Sequence, residues 1–189
     1  MPSWSRIAIH IRVPLGFVFA AAYLWFAHPS WGWLLAGMVL VVAGLAVRAT
    51  AAGHIRKNQA LATTGPYAHT RNPLYLGSVL IAAGFVLAAK NPWIALAAIL
   101  MFVAIYIPQI KVEEAYLRSA FPEYSNYATH VPRILPRLTP YRSPAAASSG
   151  PGDAGFSPEL YRKHREYQAA LGSVLMVGAL ILKMILVQH

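Results

Sequence analysis

Residues 73–114 read PLYLGSVLIAAGFVLAAKNPWIALAAILMFVAIYIPQIKVEE. Two apolar runs, 73–89 and 92–110, are separated only by Lys90 and Asn91. Each approaches the ~20 residues with which a helix crosses a bilayer. So short a connection predicts a tight antiparallel helical hairpin. A helix rises about 1.5 Å per residue, so the second run returns the chain to nearly the depth at which the first began. Glu113 and Glu114, at the foot of the second helix, are therefore expected near Arg71, Asn72 and Pro73, at the foot of the first.

The rest of the chain agrees with a membrane setting. Of its 189 residues 57% are hydrophobic and 12% charged, with a mean hydropathy of +0.47; soluble domains carry about 25% charged residues. Three further apolar stretches lie at about 11–27, 31–52 and 169–187, and Trp31 and Trp33 suit an interfacial belt. The expected fold is all-α, a polytopic membrane helical bundle of about five transmembrane helices. Arg6 and Arg12 precede the first run as in a signal peptide, but the apolar character continues through Tyr23-Leu24-Trp25-Phe26, which reads as a retained first helix. The 73–89 run is short, so its helix is expected to stand nearly upright.

Charge sets the orientation. The net charge is +10. With the N-terminus inside, 14 of the 16 basic residues and all six acidic ones fall on one side, the exceptions being Lys90 and Lys183. Positive loops mark the cytoplasmic side, so the N-terminus and the working surface are expected in the cytoplasm. The positive charge is thereby explained without a nucleic-acid partner. Absence of cysteine excludes disulfide and thiolate chemistry. No two of the seven histidines are three or four residues apart, which argues against a helical metal site.

Residues 1–136 read as a membrane core of four spans with a polar segment after the hairpin. Residues 137–156 read as a flexible linker rich in Pro, Ala, Ser and Gly. Residues 157–189 read as a basic interfacial helix, over 158–168, and a fifth span. Gly150-Pro151-Gly152-Asp153-Ala154-Gly155 matches the letters of a dinucleotide fingerprint, but no strand precedes it and Pro151 spoils the turn.

The stretch before the hairpin, 64–77, reads TGPYAHTRNPLYLG. Gly65-Pro66 is turn chemistry, while Asn72-Pro73 suits an N-cap and first helical residue. A helix start carries free N–H groups and partial positive charge, and Arg71 adds a full one, so this point suits a carboxylate or phosphate. The glutamate pair suits an ammonium, and the combination fits a zwitterion. Plainer readings stay open: Arg71 paired with Glu113 or with lipid phosphate, the two glutamates as a solvated helix end, Tyr67 and Tyr75 as belt residues, and His54 and His69 as ordinary loop polar groups.

Gly65-Pro66-Tyr67 with Arg71-Asn72-Pro73-Leu74-Tyr75-Leu76-Gly77 resembles a motif of the isoprenylcysteine carboxyl methyltransferase family. Glu113-Glu114-x-x-Leu117, Phe121, Tyr124, Tyr127 and Val131-Pro132-Arg133-Ile134-Leu135-Pro136 resemble its second block. The phospholipid methyltransferases share a related pattern. Gly53-His54-Ile55-Arg56-Lys57-Asn58, Leu61 and Thr63-Thr64 are similar to bacterial members, which implies a bacterial inner membrane. The resemblance covers about 44–136. It implies S-adenosyl-L-methionine as cofactor, bound at the cytosolic face in a pocket partly roofed by the segment after the hairpin. Gln59, Ala60, Leu61, Tyr67, Asn72, Pro73, Leu74 and Tyr75 would line the pocket, with Arg71 beside them. Glu113 would take the cofactor's amine, and Arg71 and Glu114 are candidates for aligning the reactants. A lipid or prenyl-type acceptor would enter from the bilayer. Asn72 stands where the eukaryotic enzymes have His. Gln109, with Lys111 nearby, stands where they have an Arg that contacts substrate.

The leading expectation is therefore a membrane methyltransferase, a reaction that needs alignment and exclusion of water rather than a metal or an acid–base triad. Two others compete: an NADPH-dependent membrane reductase of the sterol reductase type, beside whose pyrophosphate Glu113-Glu114 would be poorly placed, and a non-catalytic membrane scaffold.

Overall fold

The computed structural model describes residues 16–56, 60–142 and 155–187. The first residues of the expected first span, Gln59 and most of the expected linker lie outside this set. The described residues are helical, with no strand among them. Along the chain run α1 (Gly16–Phe26), α2 (Trp31–His54), a 3₁₀ turn (Gly65–Ala68), α3 (Pro73–Ala89), α4 (Pro92–Ala120), α5 (Tyr124–His130), α6 (Pro158–Lys163) and α7 (Tyr167–Val187). Three of them, α2, α4 and α7, are long and apolar enough to cross a membrane, and α1 and α3 are shorter apolar helices. This is a membrane helical bundle, as the composition implied. The chain divides into two compact units.

The first unit comprises Met1–Val42, Ile81–Glu113 and Gly172–His189. Its core is Tyr23, Ala27, Leu34, Ala88, Ala89, Ile94, Leu180 and Met184. Where α2 and α3 cross, Gly37 and Gly84 face each other so closely that a methyl group on either would overlap the other's carbonyl oxygen. Small residues permit such backbone approach where hydrocarbon gives helices no hydrophobic reason to associate. The Tyr23 hydroxyl donates to the Phe85 carbonyl at 2.8 Å. The α3–α4 connection is as short as expected. Lys90 takes a left-handed φ of 51°, the Asn91 side chain caps α4 by accepting from the Trp93 N–H at 2.9 Å, and Pro92 follows as the first helical residue. The Lys183 ammonium donates to the carbonyls of Leu24, Trp25 and Ala27 at 2.7–2.9 Å, satisfying the end of α1.

Helix α4 does not stop at 110 but runs to Ala120, with a π turn at Phe102–Tyr106. Pro108 supplies a physical cause. It has no N–H for the Ala104 carbonyl and its ring crowds that carbonyl, so the helix widens one turn earlier.

The second unit comprises Ala43–Leu80 and Glu114–Leu171. Tyr124, Tyr127 and Val131 form its core, with Leu61, Leu117, Phe121, Ala128 and Tyr141 packed against them. Arg48 pairs bidentately with Glu166 at 2.9 Å and also donates to the Ser78 hydroxyl and, at 3.3 Å, the Leu74 carbonyl. A charge among apolar helices is costly unless it is paired in this way. The expected basic helix 158–168 is interrupted. α6 ends at Lys163, Arg165 adopts a φ of 55°, and α7 starts at Tyr167. The break lets Glu166 reach Arg48. The C-terminal carbonyls of α2 are capped by the Ser157 N–H on Gly53 at 2.9 Å and by His164 Nδ1 on Ala52 at 3.2 Å.

Candidate functional site

In the second unit, the loop between α2 and α3 is built around Gly65. Its φ of 56° suits glycine, and a Cβ there would come within 2.6 Å of the His54 imidazole. Pro66 opens the 3₁₀ turn, whose last N–H groups, from His69 and Thr70, both return to the Pro66 carbonyl. Asn72 then delivers the chain into α3: its carbonyl accepts from the Leu76 N–H at 3.0 Å, and Pro73 begins the helix.

Residues 131–141 lie alongside this loop. The Arg71 N–H donates to the Pro132 carbonyl, the Arg137 N–H to His69 and the Tyr141 N–H to Ala68, each at 2.9 Å. Side chains tighten the pairing. Asn72 Nδ2 and Thr70 Oγ1 both donate to the Arg133 carbonyl, at 2.9 and 3.2 Å. The Tyr127 hydroxyl donates to the Tyr67 carbonyl at 2.7 Å. The stretch through Arg142 is thus held by at least three backbone bonds rather than hanging as a tether.

The ionic centre is Glu114, whose side chain is only 7% exposed. Arg133 pairs with it bidentately, at 3.0 and 2.8 Å, and Arg71, 11% exposed, approaches it at 3.4 Å. Two cations therefore share one carboxylate, leaving an excess positive charge. Beside them sit two buried polar atoms with no hydrogen-bond partner, Arg71 Nε and the Tyr124 hydroxyl. Buried donors are nearly always satisfied, so an orphaned pair calls for an explanation. Tyr124 is close enough for the Arg71 guanidinium to favour its ionised form, yet no well-formed hydrogen bond joins them. Burial, and then Glu114, dominate and push the phenol above its ordinary pKa, so it stays a neutral donor. This corner has more positive charge and more donors than acceptors, and suits a carboxylate or phosphate oxygen.

Tyr67, Asn72 and Pro73 are buried, and Arg71, Leu74 and Tyr75 half-buried, around the start of α3; Leu61 packs on the tyrosine core, and Ala60 is exposed. Gln109, Lys111 and Glu113 belong to α4 within the first unit, with Lys111 exposed and the other two half-buried. It is Glu114 that meets Arg71. Sequence reasoning did not single out Arg133, Tyr124 or Tyr127 as site residues. The i,i+3 tyrosine pair and the arginine after Val131-Pro132 were the available signals. Among the described residues no three His, Asp or Glu side chains form a group that would hold a metal ion.

Residues 32–124 match the family model described as phospholipid methyltransferase. The chain is 36% identical over 142 residues to the cobalt-zinc-cadmium resistance protein CzcN of Cupriavidus metallidurans, covering 69% of this chain and 64% of that protein. It is also 36% identical over 128 residues to the nickel-cobalt-cadmium resistance protein NccN of Alcaligenes xylosoxydans xylosoxydans, covering 61% of this chain and 59% of that one. The matched regions thus span under two thirds of either relative's length. No solved structure matches. Through residues 32–124 the chain belongs to the phospholipid methyltransferase family.

Proposed function

We propose that the protein transfers a methyl group from S-adenosylmethionine to a lipidic acceptor at the cytoplasmic face of a bacterial inner membrane. The observation that carries this reading is the orphaned donor pair, Arg71 Nε and the Tyr124 hydroxyl, beside a carboxylate already shared by two arginines. Family membership supports it independently. The methionine part of the cofactor has a carboxylate, the acceptor that this corner lacks. In this reading Arg71 and Tyr124 bind that carboxylate, and Tyr67 and Pro73 pack on the nucleoside. Glu114 acts by holding Arg71 rather than by proton transfer.

When bound, S-adenosylmethionine supplies a methyl carbon on a sulfonium centre that departs as a neutral thioether. The chain's own task is to orient that carbon toward the acceptor atom and keep water out. The acceptor's attacking atom would form the new bond to the methyl carbon while the sulfur keeps the electron pair of the old one; any proton that atom carries would be lost to the aqueous face after the product leaves the site. The relatives are named for metal resistance. In this reading a part in resistance would run through a modified membrane component.

The test supplies purified protein in bilayers of bacterial lipid with methyl-labelled S-adenosylmethionine. Label in the organic-extractable fraction, reduced at least tenfold in Arg71→Gln, is expected. Label confined to water-soluble products would contradict a lipidic acceptor.

A further inference from the structure

Residues 133–142 read RILPRLTPYR: three arginines, no acidic residue, an isoleucine, two leucines and two prolines. Leu135 is 78% exposed and Leu138 96% exposed. Such exposure commonly means a loose loop, but here it does not. Bonds from Arg71 to Pro132, Arg137 to His69 and Tyr141 to Ala68 pin the segment along its length. Pro132, Pro136 and Pro140 restrict its backbone further. Arg137 also donates to the His130 carbonyl at 2.8 Å and the Thr139 hydroxyl at 3.0 Å, and Tyr141 packs edge-on against Tyr127 at 5.5 Å. The two leucines are thus presented outward from a fixed frame.

That frame has a definite place. Its partners, Ala68 to Arg71, immediately precede the start of α3 at Pro73, where an apolar helix begins. The leucines therefore stand beside the point at which the chain leaves water for hydrocarbon. Among the described residues, Arg133 is the one of the three arginines that pairs with a carboxylate, Glu114. Arg142 is exposed, and Arg137 carries its charge on backbone and hydroxyl oxygens. Apolar side chains dipping below the headgroups with arginines at phosphate level are the ordinary chemistry of an interfacial anchor.

We propose that residues 133–142 are a membrane-surface anchor, with Leu135 and Leu138 inserted into the headgroup region of a bilayer containing anionic lipid. The occupant of this face is the lipid surface, because charge and apolar exposure coincide next to a membrane-entering helix. The same segment carries Arg133 to Glu114, so its attachment would also steady the ionic centre.

The chain contains no cysteine, so Leu138→Cys gives a unique labelling site at an exposed position where folding is little disturbed. The full chain, labelled there with an environment-sensitive fluorophore, is reconstituted into vesicles of phosphatidylcholine and phosphatidylglycerol. Leu135→Cys is treated in parallel. Blue-shifted emission is expected, quenched by a lipid bearing a nitroxide near its headgroup and shielded from aqueous iodide. Without phosphatidylglycerol, iodide access is expected to rise severalfold. Emission typical of water, with full iodide access at both positions, would overturn the anchor. So would a label blind to the lipid quencher but sensitive to protein density in the vesicle, because that result assigns the face to a second copy of the chain. Identical signals with and without phosphatidylglycerol would overturn the arginine contribution.

Discussion

Glu114 carries two arginines on one buried carboxylate, and its loss should be felt first as stability. Breaking a buried ion pair from one side costs about 3–5 kcal/mol. Arg133 is 47% exposed and can turn to water, so Glu114→Gln should cost about 3 kcal/mol, near the low end of that range. Denaturant titration in detergent would show it, and a loss below about 1 kcal/mol would mean that the cluster is only a surface pair. Tyr127 gives a pH signature. Burial raises its phenol above the ordinary value of 10.0. Below pH 10 both folded and unfolded forms are neutral and the full stability is present. Above it the unfolded phenol ionises first, and stability falls as pH rises toward the folded value, by up to about 1.4 kcal/mol per pH unit. Tyr127→Phe should lose about 1 kcal/mol at neutral pH, from the bond to Tyr67, and show a shallower alkaline decline. Parallel declines in melting temperature for both proteins would refute the assignment. At this scale the sequence showed which loop matters, because turn and cap chemistry is local. It placed Glu113 and Glu114 together near Arg71 without showing that Glu114 pairs with it, because the π turn at Phe102–Tyr106 alters the helix phase ahead of that pair. Nor did it show that Arg133 takes part, since the partners lie 19 residues apart and meet only through the fold.

Among the elements, the crossing of α2 and α3 is the most demanding contact. Gly84→Ala should destabilise the first unit by about 1–3 kcal/mol, the usual cost of overpacking. Gly178→Ala on α7, where an added methyl group meets nothing within 4 Å, should be neutral or slightly stabilising. Thermal unfolding of the two variants side by side would check this, and equal midpoints would mean that the helices slide apart without cost. The bounds of α3 were legible because Asn72-Pro73 and Lys90-Asn91-Pro92 are explicit start and turn signals. The interruption at Arg165 was not. Helical propensity favours continuity there, and the tertiary pair Arg48–Glu166 overrides it.

For the whole molecule, membrane residence was legible from composition alone, since 57% hydrophobic residues leave no soluble alternative of ordinary kind. The chemistry was legible only through two short motifs that the fold joins by backbone pairing of 68–71 with 132–141. The proposed function requires this joined surface to hold S-adenosylmethionine. Calorimetric titration of the detergent-purified protein with S-adenosylmethionine, S-adenosylhomocysteine and NADPH tests it most directly, with Tyr124→Phe and Arg71→Gln as companions. Binding of the first two ligands and not the third is predicted, weakened at least tenfold in both variants while each remains folded. Binding of NADPH alone, or affinities unchanged in folded Arg71→Gln, would contradict it.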